Sequence, residues 1–193
     1  KYNYKDIFST QRHSAHRGYT EIKIKPMSDA IRSAVAELFR QHFGEPAFIA
    51  RSPGRINLIG EHTDYNLGFV LPTSIDKAIY MAIHKRADNE IHLVAGDLDD
   101  TFSASLDSLQ YTGKQWPNYI LGVVDQIQKA GYTLSGFNAV MAGDVPLGAG
   151  LSSSAAVECV TAFALNTLFG LELTRKAMVQ LSQKAENQFV GVQ

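Results

Sequence analysis

Two hydrophobic periods alternate along the chain and lay out its elements. Ile31, Val35, Leu38 and Phe39 recur at helical spacing, with Ser28 placed to cap the N-terminus and Gly44 to stop the run, which predicts an amphipathic packing helix. Residues 47–51 predict a short strand that Pro53-Gly54 breaks. Period-two alternation then appears in Ile79, Met81 and Ile83, in Ile91, Leu93 and Ala95, and in Phe102, Ala104 and Leu106. The breaks at 87–89 and 96–100 suit hairpin connections, so an antiparallel sheet is expected. Trp116-Pro117 opens a helix with Tyr119, Ile120, Val123, Val124 and Ile127 on its apolar side and Gly131 as terminator. Residues 137–170 read as an apolar strand, a Gly/Ser loop, and a long apolar helix that begins near Ser152 and stops at Gly170. Thr174 caps a last helix with Ala177, Met178, Leu181 and Ala185, ending around Asn187-Gln188.

Composition narrows the function classes. The 193 residues are 45% hydrophobic and include 15 glycines, enough for one sizeable core. Eighteen basic residues against 19 acidic ones, without a basic block, argue against a nucleic-acid or membrane-surface partner but leave room for a small anionic ligand held by local donors. Cys159 stands alone, so no intrachain disulfide forms and a cytoplasmic location is expected; inside a helix it reads as a small buried hydrophobe. No apolar run has the ~18 residues a membrane helix needs, and the first residues lack a signal's apolar core. Residues 1–26 are polar and aperiodic apart from a short alternating piece at 21–25. They are expected to be an upstream extension, non-native or disordered, with Met27 as the natural start. His13 and His16 within it lack carboxylate or cysteine company and read as solvated surface.

Candidate chemistry concentrates in two stretches. In 143–156, GDVPLGAGLSSSAA, Gly148 and Gly150 let the backbone approach an anion, and the helix start aims unpaired N–H groups and its positive dipole end at the same place. Ser152, Ser153 and Ser154 add hydroxyls suited to phosphate or Mg²⁺. The run lacks the lysine of a P-loop, and Ser153 stands where a dinucleotide fingerprint needs its third glycine. The other stretch, 51–76, sets Arg55, Asn57, Glu61, His62, Asp64, Tyr65 and Asn66 among apolar anchors. Such a loop suits a polyhydroxylated ligand, since carboxylates accept from hydroxyls while His and Asn donate or accept; the alternative is a loop whose charges cap its own turns. Trp116 is either a core aromatic or a stacking surface for a purine. Glu186, near a helix C-terminus where the dipole disfavours it, either lies exposed or has a cation nearby.

GRINLIGEHTDYNLGFVLP at 54–72 resembles the galactokinase signature, and GDVPLGAGLSSSAA resembles the ATP-binding motif shared by galactokinase, homoserine, mevalonate and phosphomevalonate kinases (the GHMP kinases). With QWPNY at 115–119 and KAENQFVGV at 184–192, the likeness spans 27–193, about the first half of a galactokinase. It implies an α+β GHMP-kinase N-terminal domain, a mixed or antiparallel sheet with packed helices and a left-handed βαβ crossover. It implies ATP-dependent phosphorylation of the anomeric hydroxyl of α-D-galactose, with Mg²⁺. By resemblance, Glu61, His62 and Asp64 hold sugar hydroxyls, and Arg55 lies beside the anomeric hydroxyl and favours an ionised catalytic aspartate. Trp116 lies near adenine, Gly148, Gly150, Ser152, Ser153 and Ser154 form the phosphate loop, and Ser154 and Glu186 bind the metal. The aspartate, in a Cys-Gly-x-x-Asp-Gln motif, is expected just beyond Gln193, so these 193 residues are expected to be inactive without the missing C-terminal half. Two alternatives remain. One is a galactose- and ATP-binding transcriptional sensor, disfavoured because Ser154-Ala155-Ala156 follows the loop without a gap. The other is a sister kinase for N-acetylgalactosamine or arabinose.

Overall fold

Along one strand, Ile79, Met81 and Ile83 alternate with Ala78, Tyr80 and Ala82, and all six are buried, because this strand has helices on both its faces. The computed structural model describes residues 27–60, 68–146 and 150–191. Among these residues the order is α1 (Met27–Phe43), β1 (Phe48–Ile59), β2 (Leu71–Lys85), β3 (Glu90–Ala95), β4 (Asp100–Ser105), a 3₁₀ turn (Leu106–Ser108), α2 (Gln115–Lys129), β5 (Phe137–Gly143), α3 (Ser153–Phe169), α4 (Arg175–Lys184) and a π-helical turn (Ala185–Val190). The strands form one sheet in the order β1-β2-β5-β3-β4. α1 covers one face through Val35 and Phe39, which meet Tyr80, Val94 and Val140. The other face carries the larger core of α2, α3 and α4 over Met81, Leu93, Phe137 and Ala139. This is the expected α+β class.

The helix stops fall where the sequence puts them. Gly44 closes α1 with its N–H on the Arg40 carbonyl at 3.2 Å, and Gly170 ends α3 in the left-handed region. The Thr174 hydroxyl accepts from the Ala177 N–H at 3.2 Å, capping α4. The side chain of Ser28 and the strand at 21–25 lie outside the described residues, as do His13 and His16.

Two expectations are corrected. The break at 87–89 is not a hairpin: β5 inserts between β2 and β3, pairing antiparallel with β2 and parallel with β3. The sheet is therefore mixed, and β3 reaches β5 through a crossover that contains β4 and α2. A hydrophobic alternation fixes which face a strand buries but not which strand lies beside it. The expected hairpin at 96–100 does join β3 to β4. Second, Pro53-Gly54 does not end the first strand, which continues to Ile59 with a register shift between Pro53 and Arg55. β1 is an edge strand, where a missing donor is tolerated, and a bulge absorbs the mismatch.

Candidate functional site

The bulge in β1 is what turns Arg55 towards the glycine-serine loop. Gly54 is buried, and a Cβ built there would lie 3.0 Å from the Leu151 carbonyl and 3.2 Å from Ile75, so only glycine lets the loop pack this close. The Arg55 N–H donates to the Leu151 carbonyl at 3.2 Å, and its Nη2 donates to Ser152 Oγ at 2.6 Å. Residues 55 and 152, far apart in sequence, are thereby brought together. Gly150 has φ 70° and Ser152 φ 57°, ψ 47°, so two left-handed residues bend the chain sharply into α3. For Ser152 that conformation carries strain, and the Arg55 bond holds it in place. The Ser152 side chain, turned to Arg55, makes no cap bond to the first-turn N–H groups of α3.

In the first turn of α3, the Ser154 hydroxyl donates to Glu186 Oε1 at 2.8 Å. Glu186 is the acid of the π-helical turn that extends α4, a geometry that shifts side chains off the regular α-helical spacing and recurs at functional sites. The acid at the helix end is therefore neither free nor paired with a cation here: its partner is a hydroxyl, and Ser154 and Glu186, both expected as metal ligands, lie within hydrogen-bond distance of each other. Among the described residues no group of three or more His, Cys, Asp or Glu is arranged to hold a metal. One hydroxyl and one carboxylate within hydrogen-bond distance of each other do fit Mg²⁺, which keeps several waters and takes few protein ligands.

Ser153 and Ser154 also line a cavity of about 490 Å³, within the range of small-ligand sites. Trp116, Tyr119, Met141, Val145 and Val157 supply apolar wall, while Asp97, Lys114 and Gln115 supply polar groups. Trp116 is held by its indole N–H, which donates to Asp100 Oδ2 at 2.8 Å. The Lys114 ammonium, then the Trp116 N–H, keep the Asp100 carboxyl below its usual range. Asp144 fastens the loop's other end: its Oδ1 accepts from the Ala78 N–H at 2.8 Å and its Oδ2 pairs with Lys77 at 3.2 Å. Glu61, His62, Asp64 and Gly148 lie outside the described residues.

Sequence reasoning missed Glu158, Lys114 and Asp100. Glu158 is 1% exposed, and its Oε1 has no hydrogen-bond partner. Burial, then the charge of Glu186, pushes its carboxyl from 4.5 up to about 9. The available signal was a lone acid within the apolar run AAVECVTAFAL. Cys159, beside it, is half-buried, and burial pushes its thiol up, in line with an inert small residue.

Comparisons with known proteins agree on one lineage. Residues 37–85 match the family profile described as the galactokinase galactose-binding signature, and residues 118–193 match the GHMP kinases N-terminal domain. A galactokinase of Roseiflexus sp. (strain RS-1) is 49% identical over 81% of this chain and 40% of its own length. One from Staphylococcus carnosus is 45% identical over 77% of this chain and 39% of its own. The chain thus spans about 40% of the length of these curated relatives. Among solved structures, Lactococcus lactis galactokinase complexed with galactose superposes with a TM-score of 0.78 at 38% identity, covering 84% of this chain and 44% of that one. Methanococcus jannaschii mevalonate kinase, at 21% identity and a TM-score of 0.63 over 77% of this chain and 51% of that one, shares the fold.

Proposed function

Since this chain belongs to the galactokinase branch of the GHMP kinases, matching their galactose-binding signature and N-terminal domain, we propose that the protein transfers the γ-phosphate of ATP to the anomeric hydroxyl of α-D-galactose. The observation that carries this reading is the convergence on the start of α3 of the Arg55–Ser152 and Ser154–Glu186 contacts, at the rim of the cavity lined by Trp116. The cavity takes the adenosine, with Trp116 against the base. The loop from Gly148 to Ser154 takes the phosphates, because its backbone donors and the α3 dipole favour negative charge without a salt bridge.

Ser154 and Glu186 would hold Mg²⁺, which supplies charge neutralisation to the phosphates. Glu61, His62 and Asp64 hold sugar hydroxyls, Asp64 on those that distinguish galactose and the other two towards the exocyclic one. A site built on such bonds rejects analogues lacking the hydroxyl by on the order of 10⁴. In the transfer, the sugar oxygen bonds to the γ-phosphorus as the bond to ADP breaks, and the hydroxyl proton passes to a carboxylate proposed to lie outside these 193 residues. Arg55 favours the ionised form of that carboxylate and offsets charge on the phosphoryl group, so the chain's contribution is alignment and electrostatics.

Galactose-dependent ADP release by the full-length natural protein with ATP and Mg²⁺ tests the reading; no release refutes it. Profiling N-acetylgalactosamine and arabinose beside galactose separates a sister kinase, and galactose binding without turnover identifies a sensor. Asp64→Ala is expected to abolish sugar discrimination while nucleotide still binds, measured by competition among sugars; unchanged selectivity removes its role.

A further inference from the structure

Glu158 has no part in the reading above, yet the fold buries it almost completely. It follows Ser154 by four residues on α3, so the two side chains rise from the same face of the helix. Its carboxyl lies close enough to Glu186 to be affected by that charge. Its neighbours Ala156, Val157, Val160 and Ala162 are buried apolar residues, and its Oε1 has no partner. An unsatisfied buried polar group is a net cost to folding that an apolar residue of similar size at this position would avoid. A carboxyl retained at that cost, one helical turn from Ser154 and unpartnered, fits a site whose remaining partner arrives with a ligand.

We propose that Glu158 is a positioning residue of the cation site: Ser154 and Glu186 touch a divalent ion, and the Glu158 carboxyl fixes Glu186 and the ion's inner hydration from behind. The inference rests on the cation assignment of Ser154 and Glu186. Mg²⁺ takes few direct protein ligands and keeps water, so a further carboxyl group acts through the outer sphere. Outer-sphere partners of this kind orient the ligating oxygens, and their loss typically weakens metal binding about 10- to 100-fold.

The test measures Mn²⁺ binding to the full-length natural protein by electron paramagnetic resonance, with a non-hydrolysable ATP analogue present, in wild type, Glu158→Gln and Glu186→Gln. Glu158→Gln is expected to weaken Mn²⁺ about tenfold or more while nucleotide binding without metal stays unchanged, and Glu158→Met to do the same while raising the melting temperature. Wild-type Mn²⁺ affinity in Glu158→Gln with a loss in Glu186→Gln overturns this inference alone. Wild-type affinity in both overturns the cation assignment beneath it. If the Glu158 variants fail to fold, the carboxyl ¹³C resonance of Glu158 in the wild type decides: a shift on adding Mg²⁺ supports the role, and an unmoved resonance refutes it.

Discussion

The two faces of the sheet are built by different rules. Under α1 the interior is Val35, Phe39, Val94 and Val140 against small alanines, and its two polar groups are both satisfied: the Tyr80 hydroxyl accepts from Arg51 at 3.1 Å and Asn138 Oδ1 accepts from Arg86 at 3.0 Å. Under α2, α3 and α4 the interior includes Asn118, Thr161, Ser182 and Glu158. Asn118 is fully satisfied, with the Thr112 N–H at 2.8 Å and the Thr112 and Lys114 carbonyls at 3.0 and 2.8 Å; Glu158 and Ser182 each have an orphan oxygen. One face therefore contributes mainly stability. The other gives up some stability by keeping unsatisfied polar atoms in its interior, as functional regions commonly do.

The widest break between the faces comes from Phe39→Ala, expected to cost about 3–5 kcal/mol in a denaturant titration while the kinetic constants of the full-length natural protein that remains folded stay put. A loss of catalytic efficiency without loss of folded protein would mean that α1 also supports the site. In the full-length natural protein Glu186→Gln is expected to do the reverse, lowering the proposed sugar-kinase rate about 10²–10³-fold with little change in stability. Equal rates in a steady-state assay would remove Glu186 from the machinery.

Glu158 gives the three-helix face a pH signature. Its folded-state value near 9 stands above the ordinary 4.5, so the folded chain keeps a proton that the unfolded chain releases. Its contribution is fully favourable below the unfolded value and declines as pH rises towards the folded one. Stability should thus fall across that window by up to about 1.4 kcal/mol per pH unit, and Glu158→Gln should flatten the slope. Denaturant midpoints measured at several pH values check it. Gly122→Ala is expected to cost about 1 kcal/mol, since a Cβ there would come within 3.2 Å of Ala185 and Phe189 in the π-helical turn, and to disturb Glu186 along with it. At the far end of the scale, Arg40→Ala, which removes an exposed ion pair with Glu45 on the α1 side, should leave both melting temperature and activity unchanged.

What could be read in advance follows from the range of each signal. Helix periods and their stops at Gly44, Gly131 and Gly170 are local, and they fell where the pattern put them. The nearness of Ser154 and Glu186 came from the resemblance, since 32 residues separate them and no spacing rule links such positions. The insertion of β5 was invisible because alternation in β2 and β3 is compatible with any neighbour. Pro53 misled because its penalty depends on edge or centre, which is a property of the finished sheet. The Asp100 clamp on Trp116 and the buried Glu158 are tertiary facts, and only the isolation of an acid in an apolar helix hinted at the second.

The place of β5 also governs how the domain is made. β1 with β2, and β3 with β4, are each neighbours in sequence and can pair as soon as they leave the ribosome. Neither pair can join the other until residues 137–143 have been synthesised, because β5 is the only strand touching both among those described. Until then two separate hairpins wait with their inner edges open, and closing the sheet is a late, long-range step of the kind that slows folding and leaves strand edges free to mispair.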